Sequence, residues 1–154
     1  MTVGEDFIFI GCSDGIVRCF SPHTLQFITT LPRTHYLGVD VSKGLTISHM
    51  VSHPPGVRYP DASAVTYDEQ HFKVTVIYND HSIYVWDVRD IKKVGKSHSF
   101  IFHSACIWGV ETYPVLGDGQ KPVLPPGSFV TCSSDDTIRI WNLSNQMANN
   151  TIYK

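Results

Sequence analysis

The stretch Tyr78-Asn79-Asp80-His81-Ser82-Ile83-Tyr84-Val85-Trp86-Asp87-Val88-Arg89 decides how the rest of the chain is read. From Ile83 to Trp86, β-branched and aromatic side chains alternate with the period of two that belongs to a strand. Asn79, Asp80 and His81 before it are turn residues, because Asn and Asp side chains bond nearby backbone amides and tolerate left-handed geometry. Two other segments align with this one without gaps: Asp14-Gly15-Ile16-Val17-Arg18-Cys19-Phe20 and Asp135-Asp136-Thr137-Ile138-Arg139-Ile140-Trp141. In each, an Asp stands six residues before an aromatic. Val17/Cys19, Ile83/Val85 and Ile138/Ile140 point one way, and Arg18/Phe20, Tyr84/Trp86 and Arg139/Trp141 the other. Three copies agreeing at so many columns make this a repeat protein.

Each copy has a second strand just upstream, over 7–12, 72–78 and 129–133. Further strands are expected over 26–31 and 97–102, and two more, at 62–67 and 107–113, open the following units. With strands lettered a to d within a unit, the order is b-c-d, a-b-c-d, a-b-c: about ten strands and no convincing helix. The repeats end near Phe20, Trp86 and Trp141, in one unit spanning 1–154.

With 42% hydrophobic and 17% charged residues, the 154-residue chain can fill a core and does not read as disordered. A formal charge of −2 gives no bulk attraction to nucleic acid or anionic membrane. No basic leader or long apolar run opens the sequence, so neither a signal peptide nor a membrane span is expected. Cys12, Cys19, Cys106 and Cys132 show no CxxC spacing and sit in strand-like runs, which reads as buried free thiols in a reducing compartment. His71 with His81, or His98 with His103, could be offered as metal ligands, but none has a Cys or Asp at ligand spacing. No nucleophile elbow or phosphate-binding glycine loop occurs, so no enzyme, cofactor or metal is expected.

These residues resemble the WD-repeat family. Tyr84-Val85-Trp86-Asp87 and Arg139-Ile140-Trp141-Asn142 look like its signature, and 103–110 like the stretch that opens a repeat. The resemblance implies an all-β fold: a partial WD-repeat β-propeller of about two and a half four-stranded blades. It also implies a structural tetrad in the last repeat, His103, Thr131, Asp135 and Trp141, with Asp14, Phe20, Asp80, Trp86 and Asp87 as signature positions elsewhere. The middle repeat has Val76 at the hydroxyl position and no His near the equivalent of His103, so that blade, like the first, is expected to lean more on apolar packing, and the tetrad is not carried over to either. The first has Phe20 for Trp. Across nearly the whole chain, including 31–33, 59–61, 78–89, 92–96 and 124–126, the sequence is similar to one group of large WD-repeat scaffolds. That group comprises the mitogen-activated protein kinase-binding protein and its microcephaly-associated paralogue.

What this second resemblance implies is a non-catalytic, cytoplasmic scaffold associated with c-Jun N-terminal kinase signalling and with the centrosome or spindle pole. In that group the kinase-docking segments lie beyond the propellers, so kinase binding is not ascribed to these residues. The alternative is a substrate receptor of a cullin-type ubiquitin ligase, because Trp86-Asp87-Val88-Arg89 looks like a WDxR box. Signature Asp residues are 66 and then 55 positions apart, more than a repeat of about 40–45 residues requires. The excess falls in two long loops, 32–59 and 114–127, expected on opposite faces. Arg89, Lys92, Lys93 and Lys96 form the one basic concentration, a solvated turn or a contact for an acidic partner; without an interleaved aromatic platform, nucleic acid is not favoured. Propellers close with about 4–8 blades, so the chain reads as a piece of a longer protein that alone exposes Val17, Ile83, Ile138 and the aromatics.

Overall fold

The computed structural model describes residues 1–40, 45–46, 48–114, 116–117, 119–144 and, as backbone, the strand at 151–153. The chain folds as three consecutive antiparallel sheets of four strands each. The first contains β1 (Thr2–Val3), β2 (Ile8–Gly11), β3 (Val17–Phe20) and β4 (Phe27–Thr30). A single turn of helix, α1 (Ser48–Val51), lies in the connection to the second sheet. That sheet contains β5 (Ala62–Asp68), β6 (Lys73–Tyr78), β7 (Ile83–Asp87) and β8 (Gly95–Phe100). The third is built from β9 (Ile107–Thr112), β10 (Ser128–Ser133), β11 (Ile138–Asn142) and β12 (Thr151–Tyr153).

Two strands exceed the sequence expectation. β1 has only two residues, held by the pairs Thr2↔Phe9 and Val3↔Ile8, and is too short for its alternation to register. β12 is not among the expected strands, yet it pairs Ile138↔Tyr153 and Ile140↔Thr151. The polar residues before it gave no strand signal.

The b–c turns follow the chemistry of their residues. Asp14 and Gly15 both take positive φ (56° and 69°), the geometry of a type I′ hairpin. In the other two sheets a left-handed residue, His81 (φ 70°) or Asp136 (φ 62°), closes a three-residue loop.

The middle sheet is buried on both faces. Phe9, Val17, Cys19 and Leu31 meet Val65, Val74, Val76, Tyr84 and Trp86 on one side. Ile77, Ile83 and Val85 meet Ile107, Val110, Phe129 and Trp141 on the other. This is why β6 reads as the near-continuous apolar run Val74-Thr75-Val76-Ile77-Tyr78 instead of alternating. Trp86 and Trp141 are fully buried, and each ring of this size contributes on the order of 4–6 kcal/mol of transfer free energy. The expected exposure of inter-blade faces is corrected for two of three positions. Val17 faces the second sheet and Ile83 the third, and both are buried, whereas Ile138, on the far face of the third sheet, is 46% exposed. The cysteine expectation is corrected too: Cys19 is buried, Cys12 and Cys106 are half-buried, and Cys132 is exposed because it points to that same open face.

Candidate interaction faces

In an antiparallel four-stranded blade the b–c turns and d–a connections share one end, and the a–b and c–d turns share the other. The chemistry-bearing side chains divide accordingly. In the third blade Asp135 sits in the b–c turn and accepts, through Oδ2, from the His103 ring (Nδ1, 2.8 Å) and the Ser104 amide (3.1 Å). A carboxylate only accepts, so His103 Nδ1 carries the hydrogen. The other ring nitrogen lies 2.7 Å from Thr131 Oγ1, which in turn accepts from the Trp141 indole at 2.9 Å. Thr137 supplies both its amide (3.0 Å) and its hydroxyl (2.5 Å) to Asp135 Oδ1. Burial raises the Asp135 pKa, but the bonds from Thr137, His103 and Ser104 outweigh it and hold the carboxyl well below the usual range.

The middle blade has a comparable group that was not expected. Its histidine is His35, 45 residues before Asp80 and at the start of the long d–a loop. His35 Nε2 meets Asp80 Oδ2 at 2.7 Å, and Nδ1 lies 2.7 Å from the Tyr84 hydroxyl. Ser82 occupies the place of Thr137, donating its hydroxyl at 2.6 Å and its amide at 3.1 Å to Asp80 Oδ1. The rings stack in sequence, His35 on Tyr84 (19° between planes) and Tyr84 on Trp86 (20°). Here too burial pushes the carboxyl up and the bonds from His35 and Ser82 bring Asp80 below its ordinary pKa. A blade expected to lean more on apolar packing thus carries a hydrogen-bonded group as well. Tyr84 supplies the hydroxyl that Val76 lacks, and the loop insertion had moved the histidine out of the expected spacing. One consequence of Val76 remains: the Trp86 indole N–H and the Tyr78 hydroxyl are buried with no well-formed hydrogen bond, although the indole still acts on the phenol oxygen.

The first blade, with Phe20 for Trp, uses its turn Asp differently. Asp14 accepts from the Arg33 guanidinium at 3.2 Å and the Tyr59 amide at 3.3 Å. Arg33 also lies over the Tyr59 ring, 4.6 Å from its centroid. The two ends of loop 32–59 are thus tied to the b–c turns of two adjacent blades, Arg33 and Tyr59 to Asp14 and His35 to Asp80.

The opposite end carries the a–b loop 114–127 and the basic c–d turn. Asp87 is gripped by Lys73 (2.6 Å) and by Arg89, whose Nη2 lies at 2.6 Å. The Arg89 bonds first, with Lys73 acting against the effect of burial, hold Asp87 far below the carboxylate range. Lys92 and Lys93 are exposed, while Lys96 is half-buried with its ammonium 3.3 Å from the Leu45 carbonyl and from Ser99 Oγ. The four basic residues therefore do not form one free patch: Arg89 is engaged with Asp87, and Lys96 helps hold the d–a loop.

Three four-stranded sheets packed face to face, with a His–Asp–hydroxyl group under the b–c turns of the second and third, define a segment of a WD-repeat β-propeller. Solved propellers share the architecture. The structure of U3-55K superposes with a TM-score of 0.63 at 13% identity, over 99% of this chain and 36% of that one. The β-propeller domain of Myceliophteria thermophila Cps50 (Swd1) does so with 0.59 at 13%, over 97% and 35%. In sequence, human mitogen-activated protein kinase-binding protein 1 is 52% identical over 142 residues, and pig WD repeat-containing protein 62 is 52% identical over 143. No protein-family model matches the chain. The chain belongs to the WD-repeat family that includes these two proteins, and it spans about 9% of the length of either.

Proposed function

We propose that the chain is part of a non-catalytic protein-interaction scaffold that works in mitogen-activated protein kinase signalling, of the c-Jun N-terminal kinase type, and at the centrosome or spindle pole in the cytoplasm. The observation that carries the scaffold reading is the use made of the polar groups. His103, Asp135 and Thr131, and likewise His35, Asp80 and Tyr84, spend their bonding capacity on one another beneath the turns. What the blades offer outward is loop surface on two rigid faces, where binding is usually carried. The signalling assignment is supported by the relatives, one of which is named for binding a mitogen-activated protein kinase. Nothing favours a ubiquitin-ligase receptor, since the Arg89 guanidinium of the WDxR stretch is bonded to Asp87.

The test is co-purification of the tagged chain from dividing cells, beside the human relative as reference. Enrichment of spindle-pole components, or of c-Jun N-terminal kinase pathway components other than the kinase itself, with the chain is expected. Their absence, where the reference enriches them, would overturn the signalling assignment.

A further inference from the structure

The described residues of loop 114–127 lie over the a–b turn of the middle blade and border a solvent-open cleft of about 140 Å³. That is smaller than sites for whole small molecules and suits a single side-chain group. Its walls are Pro114, Leu116, Pro122, Leu124 and Pro126, with Tyr113 among them. The walls are preformed: Tyr113 donates its amide to the Ser128 carbonyl (2.8 Å), and its hydroxyl accepts from the Val123 amide (3.2 Å). One edge is polar. Asp68 accepts from the His71 ring at Nδ1 (2.8 Å) and from the His71 amide (3.2 Å). Because the carboxylate only accepts, Nδ1 is the donor, and Nε2 of the neutral ring is left as an acceptor for an incoming N–H or O–H.

The neighbourhood of that edge is acidic. Glu69 follows Asp68 in the turn, and its carboxylate accepts from the Glu5 and Asp6 amides of the first blade. The Asp68 and Glu69 carboxylates therefore stand together at this edge, with Asp6 close enough to act with them on the Tyr67 phenol, against Lys121 on the loop itself.

We propose that this cleft receives a single aromatic side chain from a basic segment of a partner protein. Rigid apolar walls suit a flat ring, which supplies large contact at little entropic cost and is the commonest anchor of protein interfaces. The acceptor edge selects a ring bearing a donor, tryptophan above phenylalanine, and the carboxylates select lysine or arginine beside it. The proposal deepens the scaffold reading and rests on it only in taking the occupant to be a protein.

The test uses the intact chain and three blocked tripeptides, Lys-Trp-Lys, Glu-Trp-Glu and Lys-Leu-Lys, titrated by amide-resolved NMR. Lys-Trp-Lys should bind saturably, with a Kd of about 1 mM for one anchored side chain. Its shifts should centre on Gln70, His71, Tyr113 and Gly127. The other two peptides should bind at least about tenfold more weakly, and raising the salt should weaken Lys-Trp-Lys because its charges are exposed. Leu124→Asp, on the loop surface, should weaken it by a similar factor, and His71→Ala should narrow the preference for tryptophan over leucine. Equal binding of all three peptides, shifts centred on the open blade faces, or no saturation would each overturn the proposal. Since the probes are defined peptides, such a failure is distinct from a failure of co-purification in cells.

Discussion

Replacing His35 with Ala tests whether the d–a loop is locked to the middle blade by a specific hydrogen-bonded group. The imidazole is buried, 1% exposed, and joins two partners that are themselves buried or nearly so. Removing it takes one charge-assisted bond from Asp80, about 1.5–3 kcal/mol, and leaves the Tyr84 hydroxyl unsatisfied, about 1–3 kcal/mol. Ser82 still holds the other Asp80 oxygen, so the carboxylate is not stripped bare. A water entering the vacated space recovers part of the loss, which puts the expected destabilisation at about 3–4 kcal/mol, a large share of the roughly 5–15 kcal/mol typical of a domain. Tyr84→Phe removes the hydroxyl alone and should cost about 1–2 kcal/mol. The assay is urea unfolding followed by tryptophan fluorescence, with a double-mutant cycle between His35→Ala and Asp80→Ala to isolate the pair. A coupling of about 1.5–3 kcal/mol is expected. Limited proteolysis gives an independent reading, since the loop after His35 should be cut sooner in the variant. Coupling below about 0.5 kcal/mol with unchanged cleavage would refute the reasoning, because the loop would then be held by packing alone.

Val76→Thr should raise stability by about 0.5–1 kcal/mol by giving the Trp86 indole the hydroxyl that Thr131 gives Trp141; a loss of 1–3 kcal/mol would mean the new hydroxyl is buried unbonded. Asp135→Ala should lower stability by about 1–3 kcal/mol, because the His103 and Thr137 donors lose their acceptor, and an unchanged unfolding midpoint would contradict this. Asp80 and Asp135 both have folded-state pKa values below the unfolded value of about 4, so their stabilisation is present above that pH and is lost as pH falls through the folded values. The unfolding free energy should accordingly fall as pH drops below about 4, and fall less steeply in Asp135→Asn. Timed alkylation with iodoacetamide should label exposed Cys132 first and Cys19 last, since burial removes Cys19 from solvent and pushes its thiol up to about 11.

The elements legible in the sequence are those whose information is local. The three copies of Asp-x5-aromatic placed the b and c strands to within a residue or two, since period-two alternation and turn residues both lie inside a ten-residue window. The tetrad residues of the third blade could be picked out because His103 stands four residues before β9, close to the signature spacing. The second blade's group was hidden twice over. Its histidine lies 27 residues before β5, on the far side of a loop insertion, and its hydroxyl comes from Tyr84 on the c strand instead of a Ser or Thr on the b strand. The usable signal was a chemical one. Asp80 and Ser82 repeat the Asp-x-Thr of 135–137, a turn carboxylate already furnished with its second donor, and such a carboxylate requires a first.

That requirement also explains the loop. Leaving β4 at Thr30, the chain runs directly past both b–c turns, so Arg33 reaches Asp14 and His35 reaches Asp80 within five residues. The loop's extra length comes after these attachments and before Tyr59 returns to Asp14. An insertion between two fixed points costs entropy that grows only logarithmically with its length, so the blades tolerate it without changing their packing. Loop 114–127 obeys the same logic at the other end, pinned by the bond between Tyr113, just after β9, and Ser128, the first residue of β10. Both insertions are long where the blade does not depend on them and short-tethered where it does, which lets their exposed residues vary with the partner while the propeller stays the same.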